Sequence, residues 1–324
     1  MKLTHLLKKA INRSSTVFVE FYCLSKNYSV KYAIFCLGWW IGFYSRNNKL
    51  TLFFTYKKQH WIDSYINNKY EFIVNKYRNT NESEKFVTDY KIWCFWGQGI
   101  TNMPPIVKAC YSQMKRMNPD KVVLLTNDNV KEFVDIPDFV YKKLVNKELL
   151  FAHFSDILRN SLLAKYGGLW LDVTCWLARP IPLFATEQTF ISPHNVKDGT
   201  YWCTYAMGSN KLESITFSFV RDMLIKVCEQ EKVWPDYLFQ DRVLSFAHRN
   251  IQASKIAITS TPTNATKRFL LYPLMNQPYS PQLYKQLIST DWIFKLSYKS
   301  YYIESIKGVS TFYKKILDGS INDN

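Results

Sequence analysis

The chain has 324 residues, 47% of them hydrophobic and 17% aromatic, which supplies one sizeable core plus an appendage and excludes a disordered chain. Lys and Arg outnumber Asp and Glu by 42 to 26, a net charge of +16 that points to an anionic ligand, polymer or membrane. Zinc-finger spacing, RNP aromatics and basic helical runs are missing, so no nucleic acid is expected as a partner.

Residues 1–88 read as a helical, basic N-terminal region and a candidate for membrane association. Positions 1 to 90 hold 14 Lys/Arg against 6 Asp/Glu, a net of +8 (14 − 6). In Met1 to Arg13, Leu3, Leu6, Leu7 and Ala10 or Ile11 fall on one helical side, with Lys2, Lys8, Lys9 and Arg13 around it. Such a pattern suits an interfacial helix, or equally a packing helix with a solvated basic face. Ala33 to Tyr44 is the most apolar run. Twelve residues are too few to span a bilayer core of about 30 Å, and the run begins too deep for a signal peptide. A buried helix or a monotopic insertion is expected, with Trp39 and Trp40 suited to an interface. Polar Asn67 to Asp89 reads as the link into the second part, 89–324.

In that part Ile92–Phe95 is the first predicted strand. Pro104-Pro105 opens a helix through Met117, Val122–Leu125 is the next strand, and Asn127-Asp128-Asn129 is its turn. Residues 151 to 176 follow. Phe154, Ile157, Leu158, Ser161 and Leu162 recur at helical spacing, while Asp156, Arg159 and Asn160 share one helix side. Gly167 can end that helix and Gly168 lets the chain turn closely into the apolar run Leu169-Trp170-Leu171. Asp172 ends that run, where open α/β sheets place their ligands. A surface ion pair is the plain alternative for Asp156 and Arg159. Phe190-Ile191 and Tyr201–Ala206 read as later strands, and Ile215 to Glu229 as a helix. The β-α-β-α-β order predicts an α/β fold with a mostly parallel sheet and helices on both faces.

The string S-D-x-x-R-x-x-x-L-x-x-Y-G-G-x-W-x-D-x-T, Ser155 to Thr174, resembles the core of the capsular polysaccharide synthesis proteins. These are related to glycosyltransferases whose sugar-binding region contains a DxD motif. Lys91 to Gly99, Met103 to Cys110, Ala152 to Asp156 and Lys295 to Lys299 are similar to the family's flanking segments. The resemblance covers about residues 88 to 300. It implies a GT-A-like (Rossmann-like) fold, a nucleotide-diphosphate-sugar donor, Mn²⁺ or Mg²⁺ as cofactor, and retention of anomeric configuration. By position, Asp156 would contact the nucleoside and Arg159 the ribose or diphosphate. Asp172 would be the first DxD acid and, with Thr174, would face the metal. Position 174 is Thr where the motif has its second acid. A hydroxyl replaces a carboxylate poorly on a hard cation, although diphosphate oxygens and water can fill a Mg²⁺ shell. Trp96, Gly168 and Lys299 complete the expected donor site, and Lys295 is a further candidate for the diphosphate.

The run Asp236 to Asp241 resembles the family's later acidic region. Asp241 is the expected catalytic base or acceptor-orienting carboxylate; an ordinary helix-surface acid is the alternative. His153 suits the donor pocket or a structural hydrogen bond, and His194 a loop. Trp170, Trp176 and Trp202 suit sugar stacking or core. The five histidines lack the i,i+4 spacing of a zinc helix. Seven dispersed cysteines without CxxC pairs argue against a disulfide framework and fit the reducing cytosol. Asn264-Ala265-Thr266 matches a glycosylation acceptor, relevant only in a secretory lumen. The combined expectation is a cytoplasmic glycosyltransferase, peripheral on the inner face of a bacterial plasma membrane. It would extend a capsular or other surface polysaccharide on a saccharide or lipid-linked oligosaccharide. A sugar-phosphate transferase and a non-catalytic membrane scaffold with a degenerate DxD site are the rival readings.

Overall fold

The computed structural model describes residues 16–193, 202–259 and 268–321. Met1–Arg13, His194 and Asn264-Ala265-Thr266 lie outside them.

A five-stranded sheet organises the chain, in the order β2 (Val122–Leu125), β1 (Ile92–Phe95), β3 (Gly168–Leu171), β6 (Trp202–Ser209), β5 (Phe190–Pro193). β1 pairs in parallel with β2 and β3, whereas β6 runs antiparallel to both β3 and β5. Four strands therefore point one way and β6 the other, an α/β architecture with a mostly parallel sheet. The predicted bounds of β1 and β2 coincide with those observed. Both had apolar β-branched or aromatic runs closed by turn residues.

Both sheet faces are covered, so strand alternation sorts side chains between two cores rather than between core and water. Trp93, Trp170, Met207 and Ile191 face one apolar cluster, while Ile92, Leu169, Leu171 and Ala206 face the other. The first core is roofed by α8 (Phe151–Tyr166), α9 (Ile215–Gln230) and α10 (Phe239–Asn250), and the shorter α6 (Val130–Phe133), α7 (Asp138–Val145) and α11 (Gln252–Thr259) add Val130, Val140 and Ile258 to it. The second holds α5 (Pro105–Met117), the two-stranded sheet of β4 (Cys175–Leu177) and β7 (Ile293–Lys295), and α12 (Pro281–Thr290) and α13 (Phe312–Leu317).

The N-terminal region is helical: α1 (16–27), α2 (Val30–Tyr44), α3 (Asn48–Lys69) and α4 (Glu71–Tyr77). α2 and α3 form a close hairpin, where a Cβ on Gly42 would lie 2.7 Å from the backbone nitrogen of Thr51. Asn47 caps α3 by accepting from Leu50 N at 3.1 Å. Tyr32, Ile62, Ile66 and Tyr70 are buried in the same cluster as Phe217, Phe219 and Phe246. Polar contacts run alongside: Tyr32 donates to the Pro235 carbonyl at 2.9 Å, and Arg249 pairs with Asp63 at 2.7 Å. The expected link from Asn67 begins as helix. Residues through Tyr77 are helical, and Tyr77 Oη donates to Asp222 at 2.6 Å. The tyrosine's long-range partner overrides local polarity there. Among the described residues no helix is long and apolar enough to cross a membrane.

Candidate functional site

The carboxyl ends of β1, β2 and β3 share one sheet edge, the edge at which open α/β sheets bind ligands. Trp96-Gly97 leaves β1 there, Asn127 follows β2, and Asp172 follows β3. The first two turns touch: Asn127 N donates to the Gly97 carbonyl at 3.0 Å, and a Cβ on Gly97 would sit 2.7 Å from Asn127 Oδ1.

Asp172 is aimed by the corner before it. Gly167 and Gly168 hold φ of +61° and +85°, a region L side chains avoid. A Cβ on Gly168 would approach the Lys91 carbonyl to 2.5 Å. Gly168 therefore lies at the amino end of β3, the opposite end from Asp172, and its place is in backbone packing. The structure does not bring it to the carboxyl edge where Asp172 lies.

α8 is buried almost all round, so its polar residues must find partners inside the protein. Arg159 finds several. It donates to the Thr204 carbonyl at 2.7 Å and to Ser155 Oγ at 3.0 Å, and its guanidinium lies 5.0 Å from the Trp170 ring centre. Its nitrogens are 3.5 Å from Asp156 and 3.4 Å from Asp172. The predicted i,i+3 pair is therefore an interior one, which removes the surface-pair alternative. Asp172 also accepts from Trp170 Nε1 at 3.0 Å. Burial works against the Asp172 charge, but Lys295 and Arg159 outweigh it and hold the carboxyl below its usual range.

Lys295 arrives from the far end of the chain. β4 and β7 pair antiparallel with Cys175 opposite Lys295, and Leu296 N donates to the Thr174 carbonyl at 3.0 Å. This register sets the Lys295 ammonium 2.8 Å from Asp172 Oδ2 and within hydrogen-bonding reach of Thr174 Oγ1. Burial opposes the lysine's charge, but Asp172 holds it above the usual lysine range. Asp172 and Thr174 were the expected metal ligands. As arranged they do not fit a divalent cation: each carboxylate oxygen already faces a fixed positive charge, and the hydroxyl accepts from an ammonium. Among the described residues no three His, Cys, Asp or Glu side chains are grouped to hold a metal.

Asp241 lies in the first turn of α10 and is 7% exposed, so it is no helix-surface acid. Burial, then the neighbouring charge of Asp156, push its carboxyl up to about 8. Burial pushes Asp156 up to about 6 against the pull of Arg159. Asp241 is thus held toward its protonated form. Beside these acids Asn160 donates to Gln240 Oε1 at 3.0 Å, and its own Oδ1 is buried without a hydrogen-bond partner.

The sequence profile of the capsular polysaccharide synthesis protein family matches residues 41–316. The chain belongs to this family. A 104-residue stretch is 32% identical to the O-glycosyltransferase braB of Annulohypoxylon truncatum, over 29% of this chain and 25% of that one. Another is 28% identical over 100 residues to the glycosyltransferase afumC of Aspergillus fumigatus, covering 28% of this chain and 26% of that one. The chain thus spans about a quarter of the length of the curated relatives it matches. Among solved structures, the PaToxG glycosyltransferase aligns with a TM-score of 0.38 and 14% identity, over 60% of this chain and 79% of that one.

Trp96 stands edge-on to Tyr298 at 5.2 Å, so the β1 turn meets the segment that carries Lys299. Lys299 is exposed, with its ammonium 5.8 Å from the Tyr298 ring centre rather than on Asp172. His153 is a core residue, stacked on Trp234 at 4.6 Å and driven by burial down to about 4, so it stays neutral. Trp170 and Trp176 are buried, and Trp176 donates to Tyr284 Oη at 3.0 Å. Trp202 meets His248 edge-on. A separate groove of about 500 Å³ between α5 and α13 is lined by Lys108, Gln113, Arg116 and Trp176 among others, and by none of the acids above. The sequence reading missed Lys58 and Gln240, which reach Asp236 and Asn160 across the fold and carry no local motif.

Proposed function

We propose that this chain transfers a sugar from a nucleotide-diphosphate-sugar to a hydroxyl of a growing surface polysaccharide. One observation carries the reading: Arg159 and Lys295 converge on Asp172 at the carboxyl edge of the parallel strands. Family membership and the names of the relatives agree with it. In the reaction the anomeric carbon–oxygen bond to phosphate breaks and its electron pair stays on the diphosphate. The acceptor oxygen forms the new bond and releases its proton to solvent or a base. Charge grows on the leaving diphosphate, and fixed cations aimed at it lower the barrier most.

Roles follow from placement. Asp172 is 25% and Lys295 22% exposed, so both are reachable, whereas Arg159, at 8%, braces them from behind. Asp156 lies deeper beside Arg159 and suits the nucleoside end. Trp96 and Tyr298 offer ring faces beside the edge. Asp241, held toward its protonated form by burial and by Asp156, would orient an acceptor hydroxyl.

The α2–α3 hairpin supports a membrane-bound acceptor. Its turn exposes Ile41, Phe43, Tyr44 and Phe53 together with Arg46 and Lys49. Aromatic and basic side chains together suit the interface of an anionic bilayer. Such a surface would keep the enzyme beside lipid-linked saccharides, on the inner face of a plasma membrane.

The test is release of nucleoside diphosphate from a panel of UDP- and GDP-sugars by purified protein, with and without a lipid-linked acceptor. Asp172→Ala should lower turnover by about a hundredfold or more, because it releases both cations from their positions. Turnover equal to wild type would remove the reading.

A further inference from the structure

The side chain bridging Asp172 and Thr174 is a lysine, and its chemistry answers why position 174 is not an acid. A DxD pair gathers two carboxylates so that a dication finds two anionic ligands. Here the second position is a hydroxyl, which accepts well from an ammonium but gives a hard dication little. The ammonium is already there, 2.8 Å from Asp172 Oδ2. Its place does not depend on a flexible loop alone. β7 is tied to β4 by strand pairing, and Lys295 N donates to the Arg268 carbonyl at 2.8 Å. Asp172 and Thr174 take two of the three ammonium donors, and the side chain remains partly open to water. Arg159 adds a second cation 3.4 Å from the same carboxylate. A dication on Asp172 would have to displace or repel both.

We propose that Lys295 is the cation that receives the donor's diphosphate, and that the chain binds and cleaves its donor without a divalent metal. This rests on the glycosyltransferase reading above. When the anomeric bond breaks, the electron pair settles on a terminal phosphate oxygen. Lys295 donates an N–H to that oxygen and keeps its proton, so the step needs no further reactant. Asp172 and Thr174 act as positioning residues for the ammonium.

The test is calorimetric binding of UDP and of GDP to the full chain, in EDTA and again in Mn²⁺. The expected result is that at least one nucleotide binds with affinities agreeing within about twofold in the two buffers. Lys295→Met should weaken that binding by about tenfold or more in EDTA, with thermal unfolding confirming a folded protein. The Thr174→Asp/Lys295→Met double variant, which restores the second acid and removes the ammonium, should bind only with Mn²⁺. Binding by wild type in Mn²⁺ that vanishes in EDTA overturns the proposal while leaving the glycosyltransferase reading intact. Failure of both nucleotides in both buffers brings down the two together. Undiminished binding by a folded Lys295→Met variant also overturns it.

Discussion

Lys58 Nζ lies 3.0 Å from Asp236 Oδ2, and their side chains are only 7% and 6% exposed. This pair locks the middle of α3 to the turn that launches α10. Arg242, one turn into α10, lies 3.4 Å from the same carboxylate, and Leu238 N donates to its other oxygen at 3.0 Å. The N-terminal hairpin therefore helps fix the start of the helix that carries Asp241. Burial opposes the Asp236 charge, but Lys58 and Arg242 hold its carboxyl well below the usual range.

Lys58→Met should accordingly destabilise the fold by roughly 3–5 kcal/mol at pH 7, because it leaves a buried carboxylate short of a partner. The pH sign follows from the depressed carboxyl. Its stabilisation is complete above the unfolded value near 3.8 and is lost as pH falls through the acid range. The variant should show a shallower loss of stability on acidification. Urea midpoints at neutral and acid pH check both statements, and parallel acid slopes would contradict the assignment.

Asp241→Asn should do the reverse. A folded value raised to about 8 means that Asp241 supports the fold fully below its unfolded value, and that this support is lost as pH rises through 8. Removing the charge should stabilise the protein at alkaline pH by on the order of 1–3 kcal/mol and change little near pH 4. Thermal unfolding across that range reads it directly. Nucleotide-sugar turnover near neutrality separates the roles of this residue: retained activity fits a proton-bearing orienting group, and complete loss fits a base.

Gly168→Ala should lower stability by roughly 2 kcal/mol or more, since φ is +85° and the added methyl meets the Lys91 carbonyl. Gly99, in the turn beyond the carboxyl end of β1, has positive φ but open space around it; it is the control and should tolerate Ala better. Equal losses of melting temperature in the two variants would argue against close packing as the cause.

Phe43→Ser/Phe53→Ser, made at the hairpin turn, should weaken co-sedimentation with anionic phosphatidylglycerol vesicles by at least about tenfold. Turnover of a soluble donor should be unchanged, because neither residue belongs to the Asp172 cluster. High salt should weaken binding of the unmodified chain as well, through Arg46 and Lys49. Vesicle binding that survives both changes would place the membrane contact elsewhere.

The sequence alone determined the parts whose causes are local. Apolar runs bounded by turn residues gave β1 and β2 to the residue, paired glycines marked the corner before Asp172, and i,i+3 spacing joined Asp156 to Arg159. Family motifs located the same stretch. Asn67 to Asp89 was read as a link because it is polar, yet its first part is helical through Tyr77, and Tyr70 and Tyr77 donate to Glu231 and Asp222, far away in the sequence. Only the tertiary structure decided what surrounds the central acid. Lys295 reaches it through strand pairing between segments more than a hundred residues apart, and β6 enters the sheet antiparallel beside it. Spacing along a chain reports neighbours within a turn or a strand. Charge balance at a buried carboxylate depends on groups brought together by the whole fold, so the placing of Lys295 and Arg159 around Asp172 could not be read from spacing along the chain.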